Sequence, residues 1–300
     1  MKSRTPVDRP RSDSNATAVG VGGKSSSDRL NYGGQEEVKA VHRIRLMGQE
    51  LLVYQEVSST NTVAANLASA GASEGTIVLS QSQSAGRGRL NRQWACPPHQ
   101  GILMSLILRP RIEIQYIPQL TLLGGVVVAE TIREVTGLKA GIKWPNDIVI
   151  NGKKVCGILA ESSLSSGTPL YVIIGFGINV NLDPEELPPD CSATSTSLKA
   201  ELGHSISRLL LIKRFVSIWN ERYQYFLANG PDEMRQKWIN NNVTLGREVL
   251  ISRGEELVSG VAMDISENGA LLVKTSDGNI CEYMAGDVTM VKKQNGLNHC

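Results

Sequence analysis

The residues best suited to chemistry form a polar stretch between positions 80 and 93. It contains Gly86-Arg87-Gly88-Arg89, and Arg92 follows three positions later. Guanidinium groups bind phosphate or carboxylate through paired hydrogen bonds, and glycines let backbone N–H groups approach an anion. Apolar segments on both sides predict strands that bring the stretch to the edge of a sheet. We predict an anion-binding loop; a solvated basic loop is the alternative that composition leaves open.

A second motif, Lys143-Trp144-Pro145-Asn146-Asp147, places a lysine and an aspartate on either side of a proline turn. The turn stands between two apolar runs that predict strands. A rigid turn fixes the directions of its side chains, as a site that holds the charges of a ligand requires. Alone, the motif is more typical of a tryptophan–proline corner that packs on a core.

Glycines inside predicted strands mark a third group. Lys154 stands three positions before Gly157, and Gly175, Gly177 and Asn179 follow on the next strand. Glycine weakens a strand unless a ligand or another backbone approaches closely. The amide of Asn179 can donate and accept hydrogen bonds, which suits the edge of a purine. A pair of β-bulges is the alternative.

Hydrophobic periodicity predicts the elements that must position these groups. Apolar runs predict strands over residues 51–54, 76–79, 102–108, 142–144, 148–150, 155–160 and 171–178. Helices are predicted from a side-chain cap at residues 58–61 to residue 70, and over residues 120–135, 205–227 and 232–239. Asn151-Gly152 predicts a tight hairpin turn.

Composition divides the chain into three parts. Residues 1–45 are rich in Ser, Gly and Asn and carry nine Lys/Arg against five Asp/Glu, so we predict a disordered basic tail. Residues 46–241 should form the large domain that holds the three motifs. Five short strand-like runs within residues 242–294 predict a small β-barrel. The net charge of the chain is only +2, which does not indicate a nucleic-acid-binding protein.

Cysteine usage and hydropathy bear on location. The five cysteines include no Cys-x-x-Cys pair, which favours free thiols in a reducing compartment and argues against a cysteine zinc site. No apolar run of 18 residues is present, so no membrane span is expected. The amino terminus lacks the apolar segment of a secretory signal. We expect a cytoplasmic protein, with organelle targeting by the tail as the minor alternative.

Taken in order, the motifs resemble those of the biotin protein ligase family over residues 50–292. The resemblance rests on the Gly-Arg-Gly-Arg sequence, Trp94, the Lys143–Asp147 motif, Lys154-x-x-Gly157 and Gly175-x-Gly177-x-Asn179. It implies an α/β catalytic domain with a mixed sheet, related to class II tRNA synthetases, and a C-terminal SH3-like barrel. It also implies an ATP-dependent ligase that forms biotinyl-5'-AMP and pyrophosphate, then transfers biotin to a lysine of a carboxylase biotin-carrier domain.

The resemblance assigns site residues position by position. It implies that biotin is bound by Ser59, Thr60, Asn61, Gln83, Gly86, Arg87, Leu103, Lys154 and Gly157. It implies that ATP and the adenylate are bound by Arg89, Arg92, Trp94, Asn146, Asp147 and Asn179. Lys143, Arg87 and Arg89 are the implied catalytic residues, and ATP and Mg²⁺ are implied as cosubstrate and cofactor. Leu103 stands where many bacterial members have a tyrosine, so that contact with biotin would be purely apolar.

Two alternatives remain at this stage. A lipoate or octanoate transferase shares the catalytic fold, although the Gly-Arg-Gly-Arg loop and the predicted barrel favour biotin. A non-catalytic protein-binding or nucleic-acid-binding module is the alternative from another class. We expect no DNA binding, because the tail cannot supply the core of a DNA-binding domain. An edge strand could pair with a second copy or with the acceptor, so a homodimer is possible in principle.

Overall fold

The computed structural model describes residues 41–165, 168–253, 256–284 and 286–291. A first sheet contains β1 (Val41–Leu46), β2 (Gln49–Val57), β3 (Ile77–Gln83), β4 (Gly101–Leu108), β5 (Gly141–Lys143), β6 (Asp147–Ile150), β7 (Lys153–Ser165) and β8 (Thr168–Asn179). A second contains β9 (Glu248–Arg253), β10 (Glu256–Ile265), β11 (Leu271–Thr275), β12 (Ile280–Tyr283) and β13 (Asp287–Met290). The helices are α1 (Thr60–Ser69), α2 (Ile117–Thr136), α3 (Pro189–Ser192), α4 (Leu198–Leu202), α5 (Arg208–Asn229) and α6 (Asp232–Asn241).

Strand pairing brings the three motifs to neighbouring positions. The first sheet has the order β1-β2-β3-β4-β8-β7-β6-β5, in which β2 and β3 are parallel and the other neighbours antiparallel. The arginine loop, residues 84–93, follows β3, and the Lys143–Asp147 turn joins β5 to β6. The glycine-containing strands β7 and β8 lie between these elements. The predicted strands and helices are therefore present, with bounds shifted by a few residues.

Helices cover both faces of this sheet. The face under α1 buries a small apolar cluster, and the opposite face buries a larger one with α2, α5 and α6. A Cβ atom on Gly124 would lie 3.1 Å from Phe176 Cε1, so glycine lets α2 approach the sheet closely. Phe176 in turn meets Phe215 of α5, with ring centroids 4.9 Å apart. No helix in the described ranges is long and apolar enough to cross a membrane.

The sheet begins earlier than the sequence predicted. Residues 41–45 were expected in the disordered tail, but they belong to β1, which pairs antiparallel with β2. Met47 and Gly48 form the two-residue turn between them, with φ of 50° and 86°. The side chains at positions 42–45 are exposed, so they show no apolar periodicity from which the strand could be predicted. Backbone hydrogen bonds to β2 form the strand instead. The rest of the predicted tail, residues 1–40, lies outside the described residues.

The second sheet packs against the first domain and shares its core. Its order is β12-β11-β10-β9-β13, antiparallel throughout, in the SH3-like arrangement that was predicted. Trp144 is 1% exposed, and its indole N–H donates to the carbonyl of Gly269, 3.1 Å away. The backbone N–H of Trp144 donates to Thr244 Oγ1 at 2.9 Å. The second domain therefore holds the Lys143–Asp147 turn in place. The predicted boundary at residue 242 falls between α6 and β9.

Candidate active site

One cavity of about 680 Å³ collects the three motifs. It is lined by Lys143 and Arg89, so the two predicted catalytic cations face a shared cleft. The other predicted site residues that line it are Ser59, Thr60, Asn61, Gln83, Arg87, Arg92, Trp94, Leu103, Asn146, Asp147, Lys154, Gly157 and Asn179. Gly86 is the exception, because it is buried and lines a smaller neighbouring cavity.

The start of α1 forms one end of the cavity, but not through the predicted side-chain cap. Ser59 stands at the N-cap position and its side chain makes no capping hydrogen bond. Instead, the backbone N–H of Thr60 donates to Gln83 Oε1 at 2.7 Å, and Thr60 Oγ1 donates to the same oxygen at 3.0 Å. A side chain from β3 thus satisfies a free N–H group of the first helical turn. The contact fixes Gln83 against α1.

Hydrogen bonds from two strands, β4 and β7, fix the side chain of Asn61. Ser105 Oγ donates to Asn61 Oδ1 at 2.6 Å, and Asn61 Nδ2 donates to the Leu159 carbonyl at 3.2 Å and to Glu161 Oε2 at 2.7 Å. A Cβ atom on Gly175 would lie 2.9 Å from Asn61 Cγ, so glycine is required there for this side chain to cross the strand. Ser105 and Glu161 were missed by the sequence analysis, because both lie in ordinary strand patterns without a motif.

The position of the Trp94 ring accounts for the presence of glycine at two further strand positions. Its ring lies against β7 and β8, and a Cβ atom on Gly177 would be 2.6 Å from Trp94 Nε1. A Cβ atom on Gly157 would be 2.9 Å from Trp94 Cζ3. Strand β8 pairs in regular register with both neighbours at Gly175 and Gly177, so no β-bulge accounts for these two glycines. On β7 the register with β6 does shift, between Lys154 and Cys156. The glycines make room for side chains that line the cavity, as close approach requires.

If Trp94 binds ATP, as the family resemblance implies, Gly177→Ala should raise the KM for ATP about 5- to 150-fold, the effect of 1–3 kcal/mol of overpacking. The added methyl group would displace the Trp94 ring from the cavity wall, because its carbon would lie only 2.6 Å from Trp94 Nε1. Steady-state kinetics at saturating biotin measures the change. In a Trp94→Ala background the same substitution should have little further effect, because the clash is gone. Equal effects in both backgrounds would exclude this role of Gly177.

The cations of the cavity differ in their partners. Arg87 pairs with Glu161 at 2.6 Å, Lys154 pairs with Asp147 at 2.7 Å, and Arg92 pairs with Asp287. Within the described residues, Arg89 and Lys143 form no ion pair. These two charges therefore remain uncompensated by a carboxylate contact and are available to an anionic ligand.

Neutral oxygens hold Arg89 in place. Its guanidinium donates to Asn146 Oδ1 at 3.1 Å and to the Gly286 carbonyl at 3.2 Å. Burial lowers the pKa of Arg89 from its ordinary value, while the charges of Asp287 and Asp147 oppose that shift. A partly desolvated cation gains from an added negative charge nearby, so a phosphate or carboxylate in the cavity would be stabilised.

The second domain contributes to the cavity, which the sequence analysis did not predict. Ser252, Asp287, Val288 and Thr289 line it. Gly286 and Asp287 are consecutive and accept hydrogen bonds from Arg89 and Arg92 of the arginine loop. About 195 positions separate Arg92 from Asp287 along the chain, so no local pattern indicates the contact.

Asn179 closes the other end of the cavity. It is 2% exposed, and its Nδ2 donates to the carbonyl of Thr196 at 3.0 Å. Its Oδ1 is buried and has no hydrogen-bond partner among the described residues. An unsatisfied buried acceptor is costly, so a ligand that donates a hydrogen bond here would be favoured.

The chain is similar to known proteins in sequence and fold. Residues 53–179 match the Biotin/lipoate A/B protein ligase family, and residues 244–291 match the Biotin protein ligase C terminal domain. A Bacillus subtilis protein named "Bifunctional ligase/repressor BirA" is 38% identical over 256 residues, which cover 85% of this chain and 76% of that protein. The chain belongs to the biotin protein ligase family. The predicted resemblance is thereby confirmed.

Other biotin protein ligases agree in sequence and fold. The biotin–[acetyl-CoA-carboxylase] ligase of Paracoccus denitrificans is 31% identical over 226 residues, covering 73% of this chain and 92% of that protein. A solved biotin protein ligase from Aquifex aeolicus, in complex with biotin and ATP, superposes with a TM-score of 0.69 at 31% identity. That match covers 81% of this chain and 98% of the Aquifex chain. The predicted α/β fold with an SH3-like second domain is confirmed.

Proposed function

We propose that this biotin protein ligase activates biotin with ATP in the 680 Å³ cavity and transfers it to a protein lysine. In the first step a biotin carboxylate oxygen attacks the α-phosphorus of ATP. A P–O bond forms, the bond to the β-phosphate breaks, and pyrophosphate leaves. The observation that carries the proposal is the pair of cations without ion-pair partners, Arg89 and Lys143, in one cleft with the other residues expected to bind biotin and ATP.

Electrostatics explain why these cations matter. Biotin carboxylate and the triphosphate are both anionic and repel each other. Lys143 and Arg89 offset that repulsion and stabilise the charge that develops at the α-phosphoryl group. The charge of Arg87 is partly compensated by Glu161, so Arg87 would act from the loop mainly by binding the biotin carboxylate. The carboxylate of biotin is itself the nucleophile, so the reaction needs no serine or cysteine nucleophile from the chain.

The two ends of the cavity take different substrates. The end formed by α1 and β4 would bind the far part of biotin, through Ser59, Thr60, Asn61, Gln83 and Leu103. Lys154 and Gly157, next to Asp147 and Trp94, would bind the part of biotin that meets ATP. The other end would bind ATP and the adenylate, through Arg89, Arg92, Trp94, Asn146, Asp147 and Asn179. The free acceptor oxygen of Asn179 suits the amino group of adenine.

A magnesium ion fits this site if it arrives with the nucleotide. No three His, Cys, Asp or Glu side chains gather into a metal site within the described residues. Mg²⁺ commonly binds through one or two carboxylates together with substrate phosphates. Asp147 would hold the ion at the cavity wall through Oδ2, because its Oδ1 pairs with Lys154. Bound there, Mg²⁺ would neutralise phosphate charge.

The second step is aminolysis of the biotinyl adenylate. The neutral amine of an acceptor lysine attacks the carbonyl carbon, a C–N bond forms, the C–O bond to AMP breaks, and the amine loses a proton. The arginine loop excludes water that would hydrolyse the anhydride. We propose that the acceptor is the carrier domain of a biotin-dependent carboxylase, since a relative from Mycobacterium tuberculosis is named biotin–[acetyl-CoA-carboxylase] ligase.

Intact-mass measurement tests the whole proposal. The protein is incubated with biotin, MgATP and a carboxylase carrier domain, and we expect one biotin to be added to that domain. A carrier whose target lysine is changed to arginine should stay unmodified. Lipoate in place of biotin should give no product. A carrier that gains no biotin while a known biotin protein ligase modifies it would refute the proposed activity.

The proposal extends to the location of the protein in the cell, its oligomeric state and its lack of DNA binding. We infer a cytoplasmic protein that does not bind DNA through residues 1–45. A homodimer would form through β1, the exposed outer strand of the first sheet. At the other edge, β5 is largely buried and the Ile142 carbonyl accepts from the N–H of Val243.

A further inference from the structure

We propose that Glu161 is a positioning residue that ties the arginine loop to the biotin end of the cavity. The inference rests on the proposed function. One carboxylate oxygen of Glu161 accepts hydrogen bonds from Asn61 Nδ2 at 2.7 Å and from Arg87 Nη2 at 2.6 Å. Asn61 and Arg87 are both expected to bind biotin, and they belong to different elements, α1 and the loop. Glu161, on β7, joins them.

The pocket side of this link is rigid. Asn61 is 3% exposed, and its oxygen accepts from Ser105 while its nitrogen also donates to the Leu159 carbonyl. These contacts prevent the amide from turning, since rotation would lose buried hydrogen bonds. The Glu161 carboxylate is therefore held in one direction by a group that is itself fixed to the core.

The loop side of the link is the Arg87 side chain, which is 45% exposed and flanked by Gly86 and Gly88. Other parts of the loop are held elsewhere, by backbone N–H groups that donate to the carbonyls of Val57 and Ser58 and by the contacts of Arg89 and Arg92. Within the described residues, Glu161 supplies the side-chain contact that fixes Arg87 to the first domain. Its carboxylate thus sets the position of Arg87 next to the biotin end.

Glu161 therefore connects the biotin end of the cavity, through Asn61, with the arginine loop, through Arg87. Biotin bound beside Asn61 would be covered by a loop already aligned by Glu161, so little ordering remains to be done on binding. Loss of the link should weaken biotin binding and loosen the loop, while the phosphoryl-transfer chemistry at Lys143 stays intact. A positioning residue of this kind changes the KM for biotin more than it changes kcat.

Glu161→Gln removes the charge of the link and keeps its shape. Because one oxygen of Glu161 accepts both hydrogen bonds, the amide oxygen of glutamine can still accept from Asn61 and from Arg87, but the ion pair with Arg87 is lost. We expect the KM for biotin in pyrophosphate exchange to rise roughly two- to fivefold with little change in kcat, the effect of losing one exposed ion pair. Trypsin should also cleave after Arg87 and Arg89 faster in the free protein.

Three further variants make the test decisive. Glu161→Ala also leaves the buried Asn61 amide without one partner, so its KM for biotin should rise about tenfold or more. Glu161→Gln should add almost nothing in an Arg87→Ala background, because the two substitutions break the same contact. Glu134→Gln, which breaks a similarly exposed ion pair with Arg214 on α2 and α5, serves as the matched control and should leave KM and cleavage unchanged.

The outcomes distinguish this inference from the proposed function. Absence of biotin-dependent pyrophosphate exchange in the parent protein would refute the function. Normal exchange in the parent, with Glu161→Gln showing the parental KM and cleavage rate, would overturn the role of Glu161 alone. Full additivity with Arg87→Ala would do the same, since the link requires that both substitutions act through one contact.

Discussion

Lys143→Ala should lower the rate of biotin-dependent ATP–pyrophosphate exchange by about 10²- to 10³-fold, the usual effect of losing one preorganised charge donor. Lys143 ends β5, lines the cavity and forms no ion pair within the described residues. Its charge is therefore free to act on the phosphoryl group that is attacked. The rate at saturating biotin and ATP measures the loss, because the missing interaction belongs to the transition state.

Two variants control for charge and fold. Lys139→Ala removes an exposed lysine four positions away that does not line the cavity, and it should exchange at the parental rate. Lys143→Arg keeps the charge but changes its reach, so it should recover part of the activity at most. Near-normal exchange by Lys143→Ala would contradict the role assigned to this lysine.

Arg89→Gly should release biotinyl adenylate from the site about 10- to 10²-fold faster than the parent protein does. The substitution removes hydrogen bonds to Asn146 Oδ1 and to the Gly286 carbonyl. The range corresponds to a net loss equivalent to one hydrogen bond of a charged group, about 1.5–3 kcal/mol, because water replaces part of what the two bonds contribute. Free adenylate would then biotinylate lysines of bystander proteins. Rapid gel filtration of the protein–adenylate complex, followed by assay of the label left on the protein, gives the release rate.

Arg111→Gly is the matched control for Arg89→Gly. Arg111 is exposed in the connection before α2 and does not line the cavity, so its loss should leave release unchanged. Bystander labelling should follow the release rate and should fall when the acceptor domain is in excess. An Arg89→Gly protein that retains its adenylate as long as the parent would exclude a closing role for the loop.

Two of the three arginines of the loop bring the second domain into contact with the site. Arg89 and Arg92 contact Gly286 and Asp287, at the start of β13. Trp144 binds the same domain from the other side of the cavity. Adenylate retention should therefore depend on how the second domain packs against the first.

Much of the site was evident from local sequence. The Gly-Arg-Gly-Arg stretch, the Lys143–Asp147 turn and the strand glycines each demand a particular backbone geometry or charge, and their order identified the family. The strand and helix predictions succeeded where apolar periodicity was strong, as in α2 and β4. They failed at β1, whose exposed side chains carry no such period.

Tertiary structure alone decided which charges are free and which residues connect the motifs. The motifs supply five basic residues, and all five line the cavity. Only the folded chain shows that three of them, Arg87, Arg92 and Lys154, have carboxylate partners. Ser105, Glu161 and Asp287 acquire their contacts from strands distant in sequence. Hydrogen bonds and ion pairs depend on distances of a few ångströms between side chains, and residue types along a chain do not specify those distances.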